Sequence, residues 1–245
     1  MSTSDRRQIL ATSGGFRRNP CGGPEWRRGA LVDYALRLTG KDRPRICFVG
    51  AATGDSLVTL QGFYGAFAGC DDVVPSHLSL FPMPNVEHPA EHLLSQDVIW
   101  VGGGSVANLL ALWRLHGLDP VFREAWEQGV VLAGVSAGSL CWHVGGTTDS
   151  FGLDLRPVTN GLGLLPYANG VHYDSEEQRR PLIQRLVAGG ALPPAYCTDD
   201  GVGLHYVGTS LDAVVAEVPD AAAYHVEPDG AGGARETRLP ATLLG

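Results

Sequence analysis

Ser136 occupies the centre of Gly134-Val135-Ser136-Ala137-Gly138, a G-x-S-x-G run that follows the apolar residues 130–133 and precedes residues able to open a helix. This is the layout of a nucleophile elbow. Small neighbours let the chain turn sharply from strand to helix, and the first amides of the helix can hydrogen-bond a developing oxyanion. Ser136 is the candidate nucleophile, although an ordinary strand-turn-helix junction can share the same five residues. A serine attacks only when a base takes its proton and a further group holds that base in one tautomer. Of eight histidines, His172 is best placed, where the apolar stretch 162–171 gives way to a polar loop. His143 lies seven residues past Ser136, about two turns along the expected helix, and should point elsewhere. His88 and His92 share an i, i+4 spacing beside Glu87 and Glu91, but neither H-E-x-x-H nor a third ligand accompanies them, and a solvated face is the expectation.

For the carboxylate that orients His172 the candidates are Asp149, Asp154, Asp174 and Glu176. Asp149 is preferred, because it follows Thr147-Thr148 in a loop after the elbow and has no cap or charge partner in the sequence. Asp174 belongs to an acidic cluster that the capping-box spacing of Ser175 and Gln178 explains structurally. Gly102-Gly103-Gly104-Ser105 could cradle an anion on backbone amides, or simply turn the chain.

These residues need a scaffold that brings them to one edge. Apolar β-like runs at 8–13, 45–50, 73–80, 98–101 and 130–134 alternate with helical patterns at 25–39, 58–69, 106–116 and 120–128. Such alternation predicts a mostly parallel sheet with helices on both faces and function at the C-terminal ends of its strands. The connection at residues 14–26, rich in glycine and proline, should lie at that edge and line the site. Beyond the elbow a helix is expected at 175–186 and a hairpin region at 201–226, with a last strand or a frayed tail after Pro228.

Composition narrows the function classes. The chain has 245 residues, 44% hydrophobic and 18% charged, with a net charge of −8. No dense basic block offers a footprint for nucleic acid, and no apolar run approaches the ~20 residues of a membrane span. Two arginines precede the short apolar run 9–11, which falls below the ~7–15 residues of a signal-peptide core. Five scattered cysteines without C-x-x-C spacing suggest neither a disulfide framework nor a zinc site and fit a reducing cytoplasm.

With GGGS at 102–105, GVSAGS at 134–139, TTD at 147–149 and NGVHYDSEEQR at 169–179, the chain resembles the peptidase E family of serine peptidases, which includes aspartyl dipeptidase and cyanophycinase. The resemblance runs from LATSGG near the start to the hairpin region. It implies an α/β sandwich related to the class I glutamine amidotransferases, as one domain over residues 1–245. It implies that Ser136 is the nucleophile, His172 the general base and then acid, and Asp149 the orienting acid, with the amides of Gly104 and Ala137 as oxyanion hole. The reaction implied is acyl transfer to Ser136 and hydrolysis of a short peptide, with no metal or organic cofactor, in a monomer or homodimer. On the substrate side, Glu176 and Arg179 are implied as binding residues, and Asp199 of Thr198-Asp199-Asp200-Gly201 either walls the pocket or belongs to a turn into a hairpin. The aspartyl dipeptidase carries an arginine where Glu176 precedes Glu177-Gln178-Arg179, and an acid there would repel an aspartyl substrate. A peptidase not restricted to Asp-X is the expectation. The alternatives are an esterase-type serine hydrolase, for which the spacing from Ser136 through Asp149 to His172 is compressed, and a non-catalytic ligand-binding member of the same fold.

Overall fold

The computed structural model describes residues 6–18 and 26–245. Residues 19–25, within the connection expected to line the site, lie outside the described residues. The chain begins with β1 (Gln8–Thr12), four of whose five residues are buried, followed by the paired short strands β2 (Phe16–Arg18) and β3 (Trp26–Arg28). Then come α1 (Ala30–Leu38), β4 (Arg45–Val49), a 3-10 turn (Ala51–Thr53), α2 (Leu57–Ala66), β5 (Val74–Leu78) and α3 (Pro89–Leu94). Next are β6 (Val98–Val101), α4 (Val106–Leu115), α5 (Asp119–Gln128), β7 (Val131–Val135) and the four-residue α6 (Ala137–Leu140). The second half holds β8 (His143–Thr148), β9 (Arg156–Val158), β10 (Leu165–Gly170), α7 (Arg179–Ala188), β11 (Ala195–Thr198) and β12 (Val202–Val207). It closes with β13 (Ser210–Ala216), β14 (Ala222–Pro228), β15 (Ala234–Pro240) and β16 (Thr242–Leu243).

The first sheet has the order β16-β13-β12-β1-β7-β6-β4-β5, and the five strands from β1 to β5 are mutually parallel. Successive side chains of a strand point to opposite faces. Leu10, Ile46, Phe48, Trp100 and Val131 accordingly pack on Leu31, Val32 and Phe63 of α1 and α2. Ile9, Cys47, Val49, Ile99 and Leu132 join Leu109, Trp113 and Phe122 of α4 and α5 on the other face. Burial on both sides is why these strands read as continuous apolar runs.

A second, six-stranded sheet follows in the order β15-β14-β11-β10-β8-β9, with β8, β10 and β11 parallel. Leu165 and Ala223 of this sheet share a buried cluster with Ile9 and Tyr206 of the first, and its other face packs on Ile183 and Val187 of α7. The architecture is the α/β class expected, with more strand than a hairpin region in the second half. Two local expectations change, and a third is resolved in favour of a last strand. The helix after Ser136 stops at Leu140, and His143 opens β8, whose Val144, Thr147 and Thr148 favour a strand. The Ser175–Gln178 capping box does not form: α7 begins at Arg179 without a side-chain cap, and Asp174 Oδ1 instead accepts the Asp200 N–H at 2.9 Å. The tail after Pro228 is ordered into β15 and β16.

Candidate active site

The G-x-S-x-G run makes the turn its composition suggests. Ser136, at the end of β7, has φ 57° and ψ −112°, a conformation that few non-glycine residues adopt and that is costly to hold. Its carbonyl accepts the N–H groups of Ser139 and Leu140 at 2.9 Å, and its own N–H donates to Thr12 O at 3.0 Å. The flanking glycines are required by close approach. A Cβ on Gly134 would stand 2.5 Å from Gly138 O, and one on Gly138 would run into the carbonyl of Val101. The N–H groups of Ala137 and Gly138 have no acceptor among the described residues.

The glycine loop after β6 lies against this turn. A Cβ on Gly103 would be 3.3 Å from Ser136 Cβ, and Gly104, with φ 133°, abuts the carbonyl of Ala52. Gly102 N–H donates to Val49 O and Ser105 N–H to Ala52 O, which leaves the amides of Gly103 and Gly104 without an acceptor among the described residues. The Ser105 hydroxyl caps α4 by accepting the Asn108 N–H at 3.2 Å.

His172 follows β10 and is also held in the left-handed region, at φ 53°. Its N–H donates to Ser13 Oγ at 3.1 Å and its carbonyl accepts the Glu176 N–H at 3.0 Å. Ser136 and His172 are thus both tied to Thr12-Ser13, the exit of the central strand β1. The imidazole Nδ1 is 2.5 Å from Asp200 Oδ1, with the two side chains 25% and 49% exposed. An Nδ1–H donated to that carboxylate leaves Nε2 as the acceptor that a general base needs.

The carboxylate on the imidazole is Asp200, and Asp149 is not in contact with it. The register explains the exchange. β10 pairs in parallel with β8 on one side, Asn169 opposite Gly146, and with β11 on the other, Gly170 opposite Cys197, so the exits of both neighbours flank His172. After β11 the chain turns back at once, Val202 N–H to Asp199 O at 3.1 Å, and carries Asp200 onto the imidazole. After β8 the Thr148 and Ser150 hydroxyls bond each other at 2.8 Å, Gly152 N–H closes a turn on Asp149 O, and the Asp149 side chain stays exposed. Two adjacent acids just past an apolar strand were the available signal for Asp200, and it reads equally well as a hairpin turn.

The residues expected to bind substrate have other contacts. Arg179 is 2% exposed; its guanidinium donates to the Thr147 carbonyl and hydroxyl and pairs with Glu176. Glu176 therefore faces a committed cation on one side, while on the other it lines a cleft of about 570 Å³ with Asp149, Glu177, Leu153 and Leu155. Asp199 is buried, with Oδ2 accepting the Ala222 N–H at 3.1 Å and the Tyr224 hydroxyl at 3.3 Å. Burial pushes its carboxyl pKa upward. It braces the turn behind Asp200 and does not form an open wall. His143 is fully buried beneath the elbow, its Nδ1 3.0 Å from Ser139 O, and burial pushes its pKa down to about 4. His92 meets Ser76 at 3.3 Å and His88 meets Glu87, and the described residues contain no group of three or more potential metal ligands. A cavity of about 720 Å³ around Arg6, Lys41 and Asp97 lies at the opposite ends of the strands, away from Ser136.

Comparison with known proteins adds an independent line. The family model "Peptidase family S51" matches residues 24–214. The chain is 42% identical over 223 residues to the uncharacterized peptidase YgaJ of Bacillus subtilis (strain 168), covering 90% of this chain and 92% of that one. It is 29% identical over 139 residues to Peptidase E of Shewanella denitrificans, covering 52% of this chain and 58% of the relative. Among solved structures, a peptidase from an acI-B1 Actinobacterium superposes with a TM-score of 0.65 over 96% of this chain and 94% of that one, at 16% identity, a likeness of fold alone.

Proposed function

Because the chain belongs to peptidase family S51, we propose that it is a serine peptidase hydrolysing short peptides through an acyl-enzyme on Ser136. The observation that carries this reading is the convergence at the exit of β1, where a strained serine and a carboxylate-oriented imidazole are anchored on adjacent residues. In the proposed reaction the Ser136 hydroxyl attacks the scissile carbonyl while His172 Nε2 takes its proton, and Asp200 stabilises the imidazolium that forms. The carbonyl oxygen becomes an oxyanion within reach of the Ala137 and Gly104 amides, with Gly103 beside them. His172 then protonates the leaving amine, and a water activated by the same imidazole hydrolyses the acyl-serine. Before substrate arrives, the Ser136 hydroxyl makes no hydrogen bond among the described residues, and substrate binding brings it to the imidazole.

The cleft lined by Glu176, whose N–H bonds the His172 carbonyl, bears on the substrate in this reading. Asp149, Glu176 and Glu177 line it, and Arg179 is already paired, so an acidic side chain would meet repulsion and no free cation. We therefore assign a preference for neutral or basic peptides over Asp-X dipeptides. No helix among the described residues is long and apolar enough to cross a membrane. Cys47, Cys70, Cys141 and Cys197 are free thiols among the described residues, and a reducing cytoplasm is the compartment proposed on that ground. The test is digestion of a mixed peptide library by wild type and Ser136→Ala, with product analysis by mass spectrometry. Cleavage lost in the variant is the expected result. Cleavage retained by Ser136→Ala, or turnover of simple esters without any peptide, would overturn the assignment.

A further inference from the structure

Ser13 lies one residue past β1 and is 4% exposed. Its main chain belongs to the first sheet: its N–H donates to Val202 O and its carbonyl accepts the Gly201 N–H, both at 2.8 Å. Its hydroxyl reaches the second sheet, 2.6 Å from Thr198 Oγ1 and 3.3 Å from Thr198 O, and accepts the His172 N–H at 3.1 Å. A hydroxyl has one proton to donate and two lone pairs, so it can serve Thr198 and His172 together. The Thr198 carbonyl in turn accepts the N–H of Tyr173, the residue after His172. Ser13 therefore grips the chain on both sides of the His172–Asp200 pair: at His172 itself, at Thr198 two residues before Asp200, and at Gly201 immediately after it. The neighbouring Thr12 carbonyl holds the N–H of Ser136.

Two sheets that meet at one edge can slide or splay, and their relative placement sets the distance from serine to imidazole. His172 is also held at φ 53°, against the preference of a residue with a side chain, which needs outside contacts to over-determine it. We propose that Ser13 is a positioning residue of the site, whose hydroxyl fixes the His172 main chain, and with it the imidazole, relative to Ser136. This rests on the reading of Ser136 and His172 as nucleophile and base.

The test compares wild type, Ser13→Ala and Ser13→Cys, the last replacing the hydroxyl with a thiol of similar size and weak accepting power. The measurements are kcat and KM on the best library peptide, the rate at which a fluorophosphonate labels Ser136, and the thermal midpoint. Displacing a reacting group by about 1 Å can cost about 100-fold, so kcat and the labelling rate should fall about 10- to 100-fold while KM stays within about twofold. A folded variant with wild-type kcat and labelling rate overturns the inference. So does an effect confined to the thermal midpoint, or failure of both variants to fold, because Ser13 would then serve the sheets and not the imidazole. Ser136→Ala separates this outcome from failure of the peptidase reading: if that variant still hydrolyses peptides, the site itself is misread, whereas an inactive Ser136→Ala beside a fully active Ser13→Ala removes only the role of Ser13.

Discussion

Replacing Asp200 tests the site most sharply, because the two possible orienting acids predict different variants to be damaged. Asp200 Oδ1 stands 2.5 Å from His172 Nδ1, with the carboxylate 49% and the imidazole 25% exposed. Unit charges about 4 Å apart attract by about 1 kcal/mol in water and about 4 kcal/mol at an effective dielectric near 20. For a partly exposed pair the hydrogen bond to a charged group, about 1.5–3 kcal/mol, is the better guide, and about 2 kcal/mol of transition-state stabilisation is a fair value. At about 1.4 kcal/mol per tenfold, Asp200→Ala should lower kcat about 30-fold. Asp200→Asn should be worse than alanine, because its amide can donate to Nδ1 and hold the imidazole with the proton on Nε2. The corresponding change in a serine protease with a buried triad acid costs about 10⁴-fold. Asp149→Asn should keep kcat within about twofold of wild type, because Asp149 lies on the cleft wall away from the proton transfer, and any loss should appear in KM. The assay is steady-state hydrolysis of the best library peptide, with thermal melting to show that each variant is folded. The reasoning is refuted if Asp200→Ala keeps kcat within about threefold of wild type, or if Asp149→Asn loses as much as Asp200→Ala.

The buried His143 makes stability pH-dependent. Its folded pKa, near 4, lies below its unfolded value, so its contribution is complete above about pH 6.5 and declines as pH falls toward 4, by up to about 1.4 kcal/mol per pH unit. Urea denaturation at pH 7 and 4.5 should show a smaller loss in His143→Gln than in wild type, and an equal loss would be contrary to this account. Gly138→Ala should lower the thermal midpoint and abolish hydrolysis, because the new Cβ would run into Val101 O and overpacking typically costs about 1–3 kcal/mol. Normal activity in that variant would show that the elbow can relax. Arg179→Met should be destabilised by roughly 2–4 kcal/mol, since it leaves Thr147 O and Glu176 without their partner. The ranking of peptides cleaved should stay the same, and a changed ranking in the library digest would return Arg179 to the substrate side.

What could be read in the sequence divides along a physical line. The elbow and the glycine loop are local devices: Gly134, Gly138 and Gly104 are required by approaches to neighbouring backbone, and the apolar strands before them announce where the turns fall. His172 was legible for the same reason, standing where a buried strand becomes polar. Asp200 was not, because its meeting with His172 depends on which strands flank β10, a tertiary pairing over 28 residues that no local pattern encodes. Asp149 sits past the other neighbour of β10, so the sequence offered two acids at equivalent exits, and only the direction of each turn separates them. Arg179, which the resemblance places on the substrate side, is 2% exposed and held by Thr147 and Glu176, contacts that no local pattern announces.

Contacts from β1 hold both strained residues of the site. Among the described residues, only Asp55, Ser136, His172 and Asp220 have positive φ without being glycine, and two of these are the proposed nucleophile and base. Such conformations cost of order 1–3 kcal/mol each and persist only where surrounding contacts over-determine them. At Ser136 the contacts come from Thr12 and from the α6 amides, and at His172 from Ser13 and Glu176. The central strand therefore contributes to both, through a carbonyl and a hydroxyl on consecutive residues. The strain at both positions is offset by one rigid element buried between β12 and β7. This is also why a loop-borne acid could differ from the one expected without disturbing the rest: Asp200 meets an imidazole whose main chain is already held from β1.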